Sequence, residues 1–428
     1  MAEESKSFPE SVALNLSPVE VAARCRHLPG LIFFDSALAE APGGLSIIAA
    51  APSKILAGRS EADWAALRDA VAECQIPDAK GGIPPGFAAG WVDYDSSFCF
   101  GFYDKLLVHR SEGDQPGSWF SVGELHRVIL EDAETRGQGD AESGNPRVCF
   151  SPRMNREAFI SMVERAQAYI AAGDIYQVNL SHRFTADWSG CDPFAFYQAL
   201  RHCSPAPQAA FVSLAGRTIL SSSPELFLEM SGRSIRTRPI KGTRPRRPEP
   251  DADEQSAREL VSSPKEIAEL VMITDLERND LGQVCEFGSV SVSELLKLER
   301  FEQVFHLVST VEGELRQEVD PVSALRACFP GGSITGAPKK RAMEIIAELE
   351  PEPRGLYTGA IGYFGFNGES QFNIAIRTVI IEGAEAHFHV GAGIVADSHP
   401  ANEWIETLDK AVGILLAAER IIFNSASD

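Results

Sequence analysis

The sequence predicts an α+β fold whose strands pair mainly antiparallel. Three observations carry this expectation. Apolar strand-like segments follow one another through short turns such as Phe366-Asn367-Gly368 and Glu382-Gly383, which suits hairpins better than a strict strand-helix-strand series. Helical patterns with recognisable starts and stops interrupt those strands. The composition, 44% hydrophobic and 23% charged over 428 residues, is that of a folded chain long enough to bury a sizeable core.

Taken in order, residues 30–35, 46–50 and 87–94 read as strands. Residues 61–74 read as a helix with Trp64, Leu67 and Val71 on one face. The stretch 132–146 (DAETRGQGDAESGNP) lacks apolar periodicity and reads as an exposed connection. It divides a mixed α and β N-terminal region, 1–140, from a second region, 147–428. There, Phe159, Met162, Val163, Ala166 and Ile170 recur at helical spacing over 155–172, and Gly173 supplies a C-cap. The strand IYQVNLSHRF follows. Further strands are expected at 218–221, 289–292, 356–366, 372–381 and 386–390, with helices opening near Ser263, Pro338 and Pro400. No repeat of fixed period is present.

The formal net charge of -21 argues against binding nucleic acid or an anionic membrane by bulk charge, so an anionic ligand must be met locally. Eight scattered cysteines without a C-x-x-C pair indicate neither a disulfide framework nor a zinc site, and a reducing cytoplasmic location is expected. The N-terminus lacks a signal-peptide pattern, and the apolar run 411–418 is far shorter than the roughly 20 residues a span requires. Neither export nor membrane insertion is expected.

Four constellations could carry chemistry. In SSPKEIAELVM, Glu266 and Glu269 stand one turn apart; in DSHPANEWIETL, Glu403 and Glu406 repeat the spacing. Four carboxylates on two helices suit Mg²⁺, although Ser263-x-x-Glu266 is also a capping box and acidic first turns are stabilised by the helix dipole. Residues 231–247 carry seven basic and no acidic side chains. That stretch is either a solvated basic loop or a setting whose like-charge crowding favours a free, nucleophilic amine at Lys241, which lies in the turn Pro239-Ile240-Lys241-Gly242-Thr243. FPGGSITGAPKK lacks the Lys and hydroxyl residue of a P-loop, and GAGIVA is interrupted before its helix, so both read as glycine-rich backbone near a small anion. Finally, Glu225, His306, Tyr357 and Arg377 are polar residues within apolar strands, and such an arginine needs a partner, for which a substrate carboxylate is suitable.

From about Asn155 onward, GDIYQVNLSHRF, SSSPELF, RPIKGTRPR, DLERNDLG, HLVSTVEG, CFPGGSITGAPKKRAMEII, YTGAIGY, AIRT, GAGIVADS and NEWIET together resemble the chorismate-utilising family, which includes anthranilate, aminodeoxychorismate, isochorismate and salicylate synthases. FFDSA and GWVDYD extend the likeness upstream. The resemblance implies two packed, mainly antiparallel sheets with helices outside and an active site between the sheets. It implies Mg²⁺ at Glu266, Glu269, Glu403 and Glu406, holding the ring carboxylate of chorismate. Arg377 and Tyr357, with backbone at Gly391 and Gly393, would hold the enolpyruvyl carboxylate, and Thr243 and Ser333 would also bind substrate. His306 would stand near the reacting ring.

Two positions indicate the branch. Gln177 stands where isochorismate-type enzymes resemble one another in having a water-activating lysine, which disfavours hydration. Lys241 matches the lysine of aminodeoxychorismate synthases, with anthranilate synthase as the alternative. The implied chemistry makes Lys241 a nucleophile and Glu225 a proton donor, with ammonia from a separate glutamine amidotransferase subunit, since no glutaminase motif is seen. No fused lyase is expected after residue 423.

Overall fold

Alternation within single strands decides how the layers stack. The computed structural model describes residues 9–36, 44–76, 82–112, 115–127, 148–301 and 304–424. Every residue of Phe87–Val92 is buried, yet its two faces serve different cores. Phe87, Ala89 and Trp91 join a cluster containing Ile32, Ile47, Leu106, Ile219 and Ile380, whereas Ala88 and Val92 join one containing Trp64, Leu67 and Leu325 from helices. Successive side chains point to opposite faces, so a strand buried on both must be apolar throughout. The same parity separates Ile47 from Ile48, and Ile361 and Tyr363 from Ala360 and Phe364.

The result is two packed sheets with helices outside, and the strand pairings among the described residues are antiparallel throughout. From edge to edge the first sheet runs Glu10–Val12, Gln115–Val122, Leu106–Glu112, Leu45–Ala49, Ile32–Asp35, Gln208–Leu214, Arg217–Ser223, Thr378–Glu382, Glu385–Ile394, Gln177–Asp187 and Gly336–Ala337, with Ser151–Pro152 beside Gln177–Asp187. The second runs Ile240–Pro245, Val304–Glu314, Ser234–Arg238, Leu226–Ser231, Glu369–Ile374, Ala360–Gly365, Phe87–Val92, Phe98–Tyr103 and Lys54–Gly58, with Ser291–Arg300 beside Val304–Glu314. Helices Pro18–Cys25, Pro193–Cys203 and Pro400–Asn424 cover the outer face of the first sheet. Glu61–Glu73 and Pro321–Cys328 cover that of the second. Helices Arg156–Ala171 and Lys339–Leu349 close the end of the first sheet over Val178, Leu180, Ala392 and Ile394.

The sequence division at 140/147 divides neither sheet. Ile32–Asp35 pairs with Gln208–Leu214, and Phe87–Val92 with Ala360–Gly365, so both regions are woven into both sheets. The expected connection 132–146 lies outside the described residues.

Two expected strands are corrected. The apolar stretch 372–381 is two strands in different sheets, Glu369–Ile374 in the second and Thr378–Glu382 in the first. Between them the chain crosses the sandwich, with Arg377 in the left-handed region at φ 48°. The expected strand 356–366 begins only at Ala360, because Leu356 to Gly359 turn, with Thr358 at φ 62°. Apolar runs did not reveal these breaks because the turns are themselves buried. They lie side by side: the Thr358 N–H donates to the Ala375 carbonyl at 2.8 Å and the Ala375 N–H to the Gly359 carbonyl at 2.9 Å. Left-handed backbone at a non-glycine residue costs about 1–3 kcal/mol and persists only where surroundings over-determine it.

Candidate active site

Where the sheets part beside these turns, a cavity of about 940 Å³ opens. Its wall includes Glu225, Lys241, Thr243, Glu266, Glu269, His306, Ser333, Tyr357, Arg377, Gly391, Gly393 and Glu406. Of the four glutamates on the acidic helices, Glu403 alone is not on that wall. It is buried at 3% exposure, with its carboxylate 3.6 Å from the amine of Lys265, which does line the cavity.

Local structure explains the convergence. Strand Ile240–Pro245 pairs with Val304–Glu314, setting Thr243 opposite His306, and a bulge between Lys241 and Thr243 places Gly242 at φ 76°, a conformation that suits glycine. The His306 Nδ1 and Thr243 Oγ1 are 3.0 Å apart. Lys241 Nζ donates to the Ser333 carbonyl at 3.2 Å. Gly391 and Gly393 keep the floor bare: a Cβ at Gly391 would come within 2.7 Å of the Tyr357 hydroxyl, and one at Gly393 within 2.7 Å of Gln177 Nε2. Tyr357 stacks on His389 with ring centroids 5.3 Å apart.

The acidic helix starts face this cavity. Ser263 caps Pro264–Gly282 by accepting from the Glu266 N–H at 3.4 Å, but the Glu266 carboxylate does not complete a capping box and lies instead 3.6 Å from Arg244. Glu269 Oε2 accepts from Gln177 Nε2 at 3.4 Å. Lys265 stands 3.9 Å from Glu269 and 3.6 Å from Glu403, so it joins the two helices. Glu406 receives a 2.8 Å hydrogen bond from Lys410, which also donates to the Gly391 carbonyl at 2.9 Å.

Electrostatics differentiate the groups. Burial pushes the Glu225 carboxyl above the usual carboxylate value, against hydrogen bonds from the Ser333 side chain and the Ile240 backbone and the charges of Lys241 and Lys410. Burial likewise raises Glu269, opposed by Lys241 and Lys265. Burial acts upward on Glu406 too, but the charge and hydrogen bond of Lys410 hold it below the usual value. Burial, with the nearby charge of Arg377, pushes His306 down to about 4, so its ring is neutral near pH 7. Burial also lowers Arg377, whose side chain makes no hydrogen bond or ion pair among the described residues. An arginine without a protein partner in a polar cavity is suited to a carboxylate ligand.

Of the two readings of the basic run, like-charge crowding around Lys241 is not what the structure shows. Arg233 pairs with Glu286 and Glu314, Arg236 with Glu229, Arg238 with Glu294 and Glu299, and Arg246 with Asp253. The matching acids are carried by strands of the same sheet (Glu229, Glu294, Glu299 and Glu314), by Glu286 and, for Arg246, by the helix Pro250–Val261, which the composition of the run does not reveal.

Among the described residues no three His, Cys, Asp or Glu side chains are grouped tightly enough to chelate a cation unaided. Mg²⁺ normally takes only one or two protein carboxylates and fills its octahedral shell with water and substrate oxygens. Buried Glu269 Oε1 and Glu403 Oε2 have no hydrogen-bond partner. Hard oxygens with unused capacity, from two helices facing a polar cavity, fit that mode.

Residues 41–416 match the family described as chorismate binding enzyme. The chain belongs to the chorismate binding enzyme family. This chorismate binding enzyme is similar to aminodeoxychorismate synthase component 1 of Bacillus subtilis (strain 168), 43% identical over 316 residues, which are 73% of this chain and 66% of that one. It is also similar to an anthranilate synthase component 1 of Haloarcula marismortui, 44% identical over 314 residues, 72% of this chain and 64% of that one. The chain thus spans slightly less than two thirds of the length of these two relatives. Among solved structures, anthranilate synthase component I from Streptococcus pneumoniae TIGR4 superposes with a TM-score of 0.76 at 30% identity, over 88% of this chain and 93% of that one.

The chorismate binding enzyme site also contains residues that the motifs did not single out: Lys265, Lys410 and His389. A signal existed for two of them, because Lys265 precedes Glu269 by four residues and Lys410 follows Glu406 by four, the spacing of helical ion pairs. His389 lies in a strand whose pattern does not distinguish its cavity-facing side. Among the described residues no helix is long and apolar enough to cross a membrane.

Proposed function

We propose that the protein is the synthase component that aminates chorismate at C4, forming 4-amino-4-deoxychorismate for 4-aminobenzoate and folate synthesis, with ammonia supplied by a glutamine amidotransferase partner. The observation that carries this reading is the position of the Lys241 amine inside the cavity, against the Ser333 carbonyl and within the fields of Glu225, Glu269 and Glu406. A solvated basic loop would not send its lysine there.

In this reading the nitrogen lone pair of Lys241 bonds to C2 of chorismate. The ring double bonds shift, and the C4 hydroxyl leaves as water on taking the proton of Glu225. A carboxyl whose pKa burial has raised is suited to hold that proton. Ammonia then bonds to C4, the double bonds return and Lys241 leaves C2 as the amine it was before the attack, while the extra proton of the new C4 ammonium passes back to the Glu225 carboxylate. Arg377 and Tyr357 orient the enolpyruvyl carboxylate. His306, neutral and bonded to Thr243, acts as a positioned polar wall, not as an acid. Glu266, Glu269, Glu403 and Glu406 would hold Mg²⁺, directly or through water, which when bound supplies positive charge for the ring carboxylate and the departing oxygen. Gln177 is an amide bonded to Glu269, so that position offers no base to activate water.

Anthranilate formation is the second reading, favoured by anthranilate synthase relatives of similar or slightly higher identity, 44% and 46% against 43%. Purified protein incubated with chorismate, Mg²⁺ and ammonium chloride separates the two by mass spectrometry. A product converted to 4-aminobenzoate only by added aminodeoxychorismate lyase supports the first, and direct release of anthranilate overturns it.

A further inference from the structure

Lys265 is neither a substrate ligand nor a metal ligand in the reading above, yet it occupies the space between the two acidic helices. Its amine lies 3.9 Å from Glu269 and 3.6 Å from Glu403, and these carboxylate side chains are 11% and 4% exposed. Both distances exceed the 2.7–2.9 Å or so of a charge-assisted hydrogen bond. Lys265 therefore neutralises the pair by field without hydrogen bonding to it: Glu269 Oε1, the oxygen it approaches, keeps no hydrogen-bond partner, and neither does Oε2 of Glu403, whose Oε1 it approaches. Its own side chain is 49% exposed, so the flexible stem can swing out to solvent without opening a cavity in the core. A divalent cation has the converse properties: twice the charge, and oxygen contacts near 2.0–2.1 Å for Mg²⁺.

We propose that Lys265 is a built-in counter-ion that holds the Glu269–Glu403 pair in the cation-free protein and is displaced toward solvent when a divalent cation binds, thereby setting the site's cation affinity. The proposal rests on the Mg²⁺ reading of these glutamates. Two buried carboxylates within 4 Å of one amine would, without that amine or a cation, carry an uncompensated desolvation cost. The lysine prevents this in the empty site, and the cation must compete with it.

The test is isothermal titration of the full chain with magnesium chloride alone, paired with melting curves with and without the salt, for wild type, Lys265→Met and Lys265→Arg. Lys265→Met keeps the stem and removes the charge. It should bind Mg²⁺ more tightly, on the order of tenfold as for a typical coupling between two sites. It should also melt lower without the salt and show a larger rise on adding it. Lys265→Arg keeps the charge and should bind no more tightly than wild type. If Lys265→Met folds poorly without salt, Lys265→Gln replaces it with the same expected sign. Mg²⁺ binding to wild type with equal or weaker binding to the neutral variants overturns the counter-ion role alone. No binding to any of the proteins overturns the Mg²⁺ reading together with the role that depends on it.

Discussion

The amine of Lys241 donates to the main-chain oxygen of Ser333 at 3.2 Å, while the Ser333 side chain hydrogen bonds to the Glu225 carboxyl. One residue of a short turn thus spaces the proposed nucleophile from the proposed proton donor. The turn is itself anchored: the Gly332 N–H donates to buried Glu277 at 2.9 Å, and Lys339 donates to the Pro330 carbonyl at 2.7 Å.

Lys241→Ala should therefore leave the fold intact, since the side chain ends in a cavity and the strand keeps its ladder to Val304–Glu314. Amination at C4 should fall on the order of a thousandfold or more, as when other enzymes lose their nucleophile. The measurement is 4-amino product per enzyme with ammonium as donor, beside circular dichroism to confirm folding. Wild-type amounts of product would remove Lys241 from the chemistry.

Glu225→Gln tests the proton donor separately. The amide occupies the same space and can still bond to Ser333, but it has no proton to give, so kcat should fall roughly 10²–10⁴-fold with little change in KM for chorismate. The pH profile gives a second readout. Burial raises the Glu225 pKa, so wild-type activity should decline as pH rises through that value, and the variant should lack this limb. A profile unchanged by the substitution would assign the limb elsewhere.

How far the site was legible can be argued from its members. The four glutamates were visible because i, i+3 spacing on capped helices survives into any fold, and Lys241 because it departs in context from its basic neighbours. Tyr357 and Arg377 were visible as polar residues in apolar runs, but the reason for their placement was not, because both belong to buried turns where the chain leaves the ordered sheet pattern. The antiparallel pairing was visible in the hairpin turns, whereas the weaving of the N-terminal region into both sheets depends on contacts across more than a hundred residues. Pairing of the basic run by acids distant in sequence, such as Glu299 and Glu314, was equally out of reach.

Arg354 is the sharpest case of that kind. It follows Glu350 by four residues, yet no pattern marks it as the hub joining Asn179, Ile334 and Thr358, to which it donates at 2.7, 3.1 and 3.1 Å. Its side chain is 1% exposed and its contact with Glu350 is bidentate, at 2.7 and 2.8 Å. Arg354→Met should destabilise the protein by about 3–5 kcal/mol, because it leaves Glu350 buried without its charge partner. Urea unfolding measures this, and the double variant with Glu350→Leu should recover part of the loss. A single variant within about 0.5 kcal/mol of wild type would show the hub to be dispensable.

Acid stability follows from three other buried rings. His182, His306 and His387 are each pushed down to about 4, foremost by burial. In the unfolded chain they titrate near about 6.5, so below that pH the unfolded state binds more protons than the folded one. Their stabilising contribution is complete above about 6.5 and is lost as pH falls toward about 4, at up to about 3 kcal/mol for each ring. Glu277 acts in the opposite sense: burial raises its pKa, so its contribution is present below the unfolded carboxylate value and is lost as pH rises through the folded one. Asp35, Asp93, Glu225, Glu269 and Asp280 are raised with it, so the contribution of a ring is read as a difference between wild type and variant and not from the total slope. From pH 7 to pH 4.5, His387→Gln should remove the uptake of about one proton on unfolding, measured as the change in the pH dependence of unfolding free energy. The same proton uptake in variant and wild type would mean that this ring is solvated or already charged in the native protein.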